Sequence, residues 1–356
     1  MRSRTHLLAA LLILVLGALV FARLTEPDAI VAGAAETTPA AYLDAALDIM
    51  QRNSIHRKTI DWPAFRKKAH ERIAGAKTIQ DVHAPLRAVL KDLGDGHSVL
   101  RAPPRPPTPT PSATTASHAS APVAPPKPRE PWGEMKGDIA YIFMPTFSGG
   151  FSARDTAFAD ALQRIIAKLD DQGPRGWILD LRENGGGDMW PMMAGIGSLL
   201  GEGENGRFLT HGQTSTWWYR DGTAGYDTWS RAAITGKPHT LRVPAPAVAV
   251  LTSGKTASSG EAIVVAFKGR PSTRFFGQPT YGQSTANQGY PLSDRATIYL
   301  TTGTYVDRTG RVYGKSIAPD EVIAPAPNDS PGDPVLRAAI AWLETRTNAS
   351  SGLRTD

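Results

Sequence analysis

The sequence predicts an α/β fold on two observations. Residues 137–145 and 177–182 are short apolar runs of the kind that form buried strands, and residues 158–170 between them carry apolar side chains at helical spacing. The same succession returns later, where an apolar run at 245–251 precedes a helix-forming stretch at 259–267. Strands that alternate with helices at this spacing are typical of βαβ units, whose parallel strands are joined by right-handed crossovers.

The region before this core is predicted to be helical. Apolar side chains repeat at helical spacing over 40–50 and 78–93, and Asp61 followed by Pro63 marks the start of a further helix between them. We therefore interpret residues 36–101 as a three-helix cap domain.

Composition limits the classes of protein to consider. The chain has 356 residues, which is enough for one large or two modest domains with a real core. It contains no cysteine, so disulfides, cysteine-ligated metals and thiol chemistry are excluded. The formal net charge is +6, but no dense block of Lys and Arg alternates with aromatic residues, and no nucleic-acid partner is predicted.

Two segments are predicted to lie outside the folded body. Residues 1–35 begin with two arginines and continue with an apolar run over 7–22, which is typical of a secretory signal peptide or an N-terminal membrane anchor. Either one exports the chain to the periplasm or cell envelope, and an anchor would also associate it with the membrane. Residues 102–131 are mostly Pro, Ala, Ser and Thr and predict an extended linker.

Ser258 is predicted to lie at a corner between a strand and a helix. Small residues follow the apolar run at 245–251, and Ser258-Ser259-Gly260 then leads into an apolar helix. A serine in this position often serves only as a helix cap. It can also act as a nucleophile, because the first N–H groups of a helix have no partner within it and point at charge that develops beside the serine.

Two strings around this corner resemble a known nucleophile segment. They are TASSGEAI, residues 256–263, and FFGQPTYGQST, residues 275–285, and they resemble the C-terminal-processing (tail-specific) protease family, with the tricorn core and related retinoid-binding modules. The resemblance implies a ClpP/crotonase-like ββα core and a nucleophile at Ser258, three residues before Glu261. The processing proteases place a lysine base 25 residues after the serine, where this chain has Gln283. Glutamine has no titratable nitrogen, so the base must come from elsewhere.

A histidine in a glycine turn is the candidate base. The string LGDGHS, residues 93–98, ends the last predicted helix of the cap and leaves His97 on a turn. It resembles the segment that supplies the general base in the tricorn-like branch of the family, which has a Ser-His site. Imidazole titrates near neutrality and can take the proton of a serine. The resemblance implies His97 as the base, whereas a turn histidine by itself is more often a surface residue.

The turn after the second core strand is rich in glycine. Residues 180–187, DLRENGGG, match the D-L-R-x-N-x-G-G string of the same family. The resemblance implies that Gly186 or Gly187 donates a backbone N–H to a developing oxyanion, together with the N–H of Ser259. Gln283 is predicted to orient the substrate or the serine.

A carboxylate is expected to hold the imidazole in the right tautomer. The tricorn-like branch supplies a Glu shortly before a closing string that this chain resembles at residues 315–320, but the aligned residue here is Tyr313. Asp307 is the nearest acid on that side and is predicted to be the third member of the triad. Asp95 is interpreted as a cap of its own turn.

The remaining core is predicted to hold a strand over 297–306, a hairpin turn at 307–311 and a final helix over 334–345. The stretch 208–229 has no clean period. Its aromatic residues, including Trp217-Trp218-Tyr219, are predicted to pack beneath a loop, with the lining of a substrate cleft as the alternative.

Together these residues predict an exported serine peptidase that acts on a peptide or protein substrate, with residues 132–356 as its catalytic core. No metal or cofactor is implied, and the 102–131 interval is too short for the PDZ domain that many processing proteases carry. Two other functions stay open: a non-catalytic module that binds an apolar ligand or a peptide, and an esterase-type acyl hydrolase. The sequence predicts no particular oligomeric state.

Overall fold

The computed structural model of the protein describes residues 38–103, 130–149, 153–326 and 332–351. The predicted signal peptide or anchor and most of the predicted linker lie outside these ranges. Within them, no helix is both long enough and apolar enough to span a membrane.

Three helices open the described chain: α1 (Pro39–Asn53), α2 (Trp62–Arg72) and α3 (Ile79–Asp92). Each begins at a side chain that accepts a hydrogen bond from an N–H of the first turn, and Asp61 at the start of α2 is the cap that the sequence predicts. Their buried apolar sides meet in one cluster with side chains of the main body, namely Leu292, Ala296, Ile298 and Leu300. The helices therefore share a hydrophobic core with the strands beneath them.

A buried polar cluster also joins these helices to the main body. The hydroxyl of Tyr42 in α1 donates to Asp294 Oδ1 at 3.0 Å, and Nε2 of His83 in α3 lies 2.7 Å from Asp294 Oδ2. Asp294 is held in turn by the N–H of Ala296 at 3.0 Å. The cluster positions α3, and therefore the turn that follows it, against the main body.

The main body contains a six-stranded sheet. Its strands are β2 (Trp132–Lys136), β3 (Ile139–Phe143), β4 (Gly176–Asp180), β9 (Val248–Thr252), β10 (Thr273–Gly277) and β13 (Glu321–Val322). Their order across the sheet is β13-β10-β9-β4-β3-β2. Neighbouring strands run parallel except for β2, which lies antiparallel to β3.

Helices cover both faces of this sheet. They are α4 (Ala153–Asp170), α5 (Met189–Gly195), α6 (Gly197–Leu200), α7 (Ser259–Phe267) and α8 (Pro334–Ser351). The first four pack on one face and α8 on the other. Strands buried on both faces need apolar side chains throughout, which explains the unbroken apolar runs in the sequence. The predicted α/β fold class is confirmed.

A second, antiparallel sheet of seven strands packs beside the first. Its strands are β1 (Val99–Arg101), β5 (Gly203–Thr210), β6 (Gln213–Arg220), β7 (Thr223–Tyr226), β8 (Trp229–Ala233), β11 (Thr285–Pro291) and β12 (Thr297–Val306). The stretch 208–229 forms most of the β5–β8 meander, so the prediction that its aromatics pack beneath a loop was wrong. Trp217, Trp218 and Tyr219 are consecutive and all buried, which removes the alternation that identifies a strand.

Neighbouring parallel strands bring distant turns together. Strands β4 and β9 pair directly, so the turns that follow them, residues 181–188 and 253–258, lie at the same edge of the sheet. Strand β1 pairs with β12 and carries the preceding turn, which contains His97, to the same region.

Candidate active site

Ser258 lies at the corner between β9 and α7, as predicted. Its backbone has φ 52° and ψ −119°, a conformation that residues with a Cβ seldom adopt and that proteins tend to keep at functional sites. The N–H of Ser258 donates to Glu261 Oε2 at 3.0 Å. Its Oγ lies 2.9 Å from Nε2 of His97, although the two residues are 161 positions apart in the sequence.

His97 lies on the predicted glycine turn after α3. Gly94 and Gly96 have φ values of 76° and 66°, which a residue with a side chain would adopt only under strain. Asp95 Oδ1 accepts hydrogen bonds from the N–H groups of His97 at 2.8 Å and Ser98 at 2.7 Å. Asp95 is therefore a cap of the turn, and the histidine follows on a rigid backbone.

The electrostatic surroundings of His97 favour the neutral imidazole. Burial lowers the pKa of His97 from 6.5 to about 4, and the nearby carboxylate of Asp95 opposes this shift only in part. A neutral ring carries one proton, and Nδ1 lies 2.7 Å from Thr285 Oγ1. With the proton on Nδ1, Nε2 is free to accept the hydroxyl proton of Ser258.

Asp307 does not reach the histidine, so its prediction as the third triad member was wrong. Its Oδ1 accepts hydrogen bonds from the N–H and hydroxyl of Thr309 and from the N–H of Arg311, and its Oδ2 accepts one from the Tyr313 hydroxyl at 2.7 Å. Burial alone would raise the pKa of Asp307, but these hydrogen bonds lower it. The carboxylate of Asp307 therefore stabilises the hairpin turn in which it lies.

Three side chains that contact the histidine turn come from one short segment. Thr285 contacts the ring, Gln283 Nε2 donates to Gly96 O at 2.8 Å, and Asn287 Nδ2 donates to His97 O at 2.8 Å. Gln283 thus braces the turn, and because it also lines the cleft, its role in orienting the substrate or the serine stays a prediction. The sequence analysis missed Thr285 and Asn287, whose signal is the polar side chain at every second position.

The glycine turn after β4 uses one of its N–H groups internally and leaves another pointing away from the neighbouring Phe147. The N–H of Gly186 donates to Asn184 Oδ1 at 3.0 Å, so the prediction of this group as an oxyanion donor was wrong. Gly186 O accepts from the N–H of Phe147 at 3.1 Å. Because the C=O and N–H of a trans peptide point in opposite directions, the N–H of Gly187 points away from Phe147.

The first N–H of α7 is oriented by the same geometry. Ser258 O accepts the N–H of Ala262 at 3.0 Å, so the N–H of Ser259 points out of the N-terminal end of the helix. Gly186 leaves this N–H accessible, since a Cβ there would lie 3.0 Å from Ser259 N and 2.8 Å from Ser258 Cβ.

Asn184 and Glu261 connect the segments that form the site. Asn184 is fully buried, and its backbone O accepts the N–H of Ala257 at 3.0 Å, which holds the glycine turn against the serine corner. The carboxylate of Glu261 accepts four hydrogen bonds, from Ser258 N, Thr280 Oγ1, Gly282 N and Gln283 N. Burial raises the pKa of Glu261, while these four donors favour its ionised form.

The serine and histidine open into a cleft of about 590 Å³. Aromatic and other apolar side chains form much of its wall, namely Met189, Trp190, Phe208, Ala286, Tyr299 and Tyr305. Its charged lining residues are Arg101, Asp188 and Arg231. Phe208 belongs to the stretch 208–229, for which the alternative prediction was that its aromatic residues line a substrate cleft. No group of three or more His, Asp and Glu side chains in the described part of the chain is arranged to hold a metal ion.

A larger cavity, of about 840 Å³, lies on the other side of the same sheet edge and is lined by Trp132, Tyr141 and Phe143. Four of its charged groups bind one another in pairs, since Arg182 contacts Asp180 and Lys255 contacts Glu183, and Glu130 also lines it. It contains neither Ser258 nor His97, so we place the candidate site in the smaller cleft.

An α/β fold with a serine and a histidine in contact at a cleft is an arrangement found in hydrolases. The chain belongs to peptidase family S41, whose family model matches residues 138–323. Family membership supports a peptidase function and confirms the resemblance to C-terminal-processing proteases.

Individual relatives are similar over different lengths. The nisin-resistance protein of Lactococcus lactis is 26% identical over 284 residues, which cover 80% of this chain and 83% of that protein. The carboxyl-terminal-processing protease of Synechocystis is 28% identical over 58% of this chain, and that of Bartonella bacilliformis is 25% identical over 53%. The chain spans 44% and 39% of the lengths of these two proteases.

Solved structures share the fold. A lipoprotein from Streptococcus agalactiae superposes with a TM-score of 0.67 at 23% identity, covering 88% of this chain and 99% of that one. A putative peptidase from Parabacteroides merdae superposes with a TM-score of 0.56 at 18% identity, covering 86% of this chain and 97% of that one.

Proposed function

We propose that the protein is a serine peptidase in which Ser258 is the nucleophile and His97 the general base. The observation that carries this proposal is the 2.9 Å contact between Ser258 Oγ and His97 Nε2, made by two segments that are 161 residues apart in the sequence. A serine that only capped its helix would not require an imidazole at this distance.

The reaction follows from the positions of the atoms. Ser258 Oγ attacks the peptide carbonyl carbon while its proton passes to Nε2 of His97, and the carbonyl oxygen takes the negative charge. The N–H groups of Gly187 and Ser259 stabilise that oxyanion. The imidazolium then gives its proton to the amine as the C–N bond breaks. Water, deprotonated by His97, attacks the acyl carbon, and the serine oxygen leaves with the proton that the imidazolium returns.

We further propose that residues 1–35 export the chain to the periplasm or cell envelope, either as a cleaved signal or as an anchor. Residues 36–101 form the cap that supplies His97, residues 102–131 a linker, and residues 132–356 the catalytic core. Substrates are peptides or proteins, and the cleft, whose lining mixes aromatic side chains with the charged Arg101, Asp188 and Arg231, accepts both apolar and polar side chains beside the scissile bond.

Reaction with a fluorophosphonate probe tests the proposal. The native protein should form one adduct, located at Ser258 by peptide mapping, and should cleave members of a peptide library. Nisin, for which the Lactococcus relative is named, belongs in that library together with simple esters. A protein that forms the probe adduct and cleaves esters but not peptides would be an acyl hydrolase. A folded protein that forms no adduct would favour the binding module.

Substituting alanine for Gly186, whose φ is 104°, should lower kcat by about 100-fold or more, because the added Cβ would lie 3.0 Å from Ser259 N and 2.9 Å from Ala257 O and would displace the serine corner. Gly212→Ala is the matched control, since Gly212 also has a positive φ, of 87°, but a Cβ there meets no atom within 4 Å and Gly212 does not line the cleft. Peptide hydrolysis by the two variants is compared after circular dichroism has established equal folding. Equal rates would contradict the assignment of Ser259 N–H to the oxyanion.

On the acid side of the pH profile, kcat/KM should fall only at an unusually low pH. With the pKa of His97 lowered to about 4, the neutral base is present above that pH and is lost as pH falls through it. Activity is therefore expected to stay nearly constant from neutrality down to about pH 5. The profile is measured over the range in which circular dichroism shows a folded protein. A limb centred near 6.5, the ordinary value, would show that burial does not control the base.

A further inference from the structure

One face of a short segment holds the histidine turn at three different atoms. Gln283, Thr285 and Asn287 contact Gly96 O, His97 Nδ1 and His97 O at 2.8, 2.7 and 2.8 Å. The intervening Ser284 is fully buried and points the other way, where its hydroxyl donates to Lys315 O. The alternation of an extended chain therefore directs all three contacts at the same turn.

The middle contact differs from the others because it is made to the imidazole itself. Thr285 is 5% exposed, so its hydroxyl has little water to bind. Among the described residues, the ring nitrogens of His97 hydrogen-bond to Ser258 on one side and to Thr285 on the other. The Thr285 position is the one at which serine hydrolases commonly have a carboxylate.

We propose that Thr285 is the positioning residue for His97: its Oγ1 accepts the Nδ1–H and so keeps Nε2 unprotonated toward Ser258. The assignment rests on the function proposed above. Thr285 contacts no reacting atom and acts through the ring that it holds.

A hydroxyl in this place has a chemical consequence. It fixes the tautomer as a carboxylate does, but it carries no charge to stabilise the imidazolium that forms when Ser258 attacks. Among the described residues, no carboxylate hydrogen-bonds to the His97 ring to stabilise the imidazolium. Asp95 is bound to backbone N–H groups of its own turn, Glu261 lies under Ser258 with four donors, and the other charged residues line the cleft, namely Arg101, Asp188 and Arg231.

Three substitutions at Thr285 separate positioning from packing. Thr285→Val keeps the shape and removes the acceptor, and it should lower kcat by about 10- to 100-fold with KM nearly unchanged. Thr285→Ser restores the hydroxyl and should retain kcat within about threefold. Thr285→Asp adds a negative charge beside the ring and should move the acidic limb of kcat/KM upward by about one to three pH units. Thr297→Val, in β12 of the same sheet, is the control for loss of a strand hydroxyl.

The tautomer is read directly from the ¹⁵N shifts of the histidine ring, assigned to His97 by comparison with His97→Ala. We expect the Nδ1–H form in the native protein and a mixture of tautomers in Thr285→Val. A kcat within twofold of native together with an unchanged tautomer in Thr285→Val would overturn the inference. A native protein with the Nδ1–H tautomer but with neither probe adduct nor hydrolysis would instead refute the proposed function alone.

Discussion

Replacing Ser258 by alanine is expected to abolish the fluorophosphonate adduct and to lower kcat for peptide hydrolysis by about 10⁴-fold or more. The variant has no nucleophile, and the oxyanion donors that remain give only a small residual acceleration. His97→Ala should cause a loss of similar size, because the serine hydroxyl then has no base at 2.9 Å. The double variant should be no slower than the slower single variant, since the two groups act as one unit.

His56→Ala is the control for the histidine substitution, because His56 is also half-buried but does not line the cleft. Its kcat should equal that of the native protein. Hydrolysis that survives in Ser258→Ala above about a tenth of the native rate would place the nucleophile elsewhere. Apparent melting temperatures of all variants establish that lost activity does not reflect unfolding.

Glu261→Gln is the second substitution with a large expected effect. The carboxylate accepts four hydrogen bonds inside the protein, and an amide replaces one of its acceptor oxygens with an NH₂ group that faces two donors. Two buried donors then lose their acceptor, which should lower the free energy of unfolding by about 2 to 4 kcal/mol. Urea denaturation measures this change.

The same substitution should reduce activity in the molecules that stay folded. Glu261 holds both Ser258 N and Gln283 N, so its loss loosens the nucleophile and one brace of the histidine turn together. Glu183→Gln is the matched control, because Glu183 makes only a surface ion pair with Lys255, worth at most about 1 kcal/mol. If Glu261→Gln proves as stable and as active as the control, the carboxylate does not organise the site.

Local pattern was enough to predict much of the chain. Apolar periodicity predicted the parallel strands and their helices, since burial on both faces imposes a signal that each segment carries by itself. The corner at Ser258 and the glycine turn at His97 were predicted for the same reason, because caps, glycines and helix starts are read within a few residues.

The sequence by itself thus determined the fold class, the corner and the turn, whereas only the tertiary structure decided which groups meet there. Asp307 is committed to its own hairpin, the N–H of Gly186 is bound by Asn184, and Thr285 takes the place beside the imidazole. The first two contacts are local, between residues two positions apart, whereas Thr285 lies 188 positions from His97. Local side-chain bonds compete with longer-range ones, and only the packing of the sheets and helices decides which groups meet across such a distance.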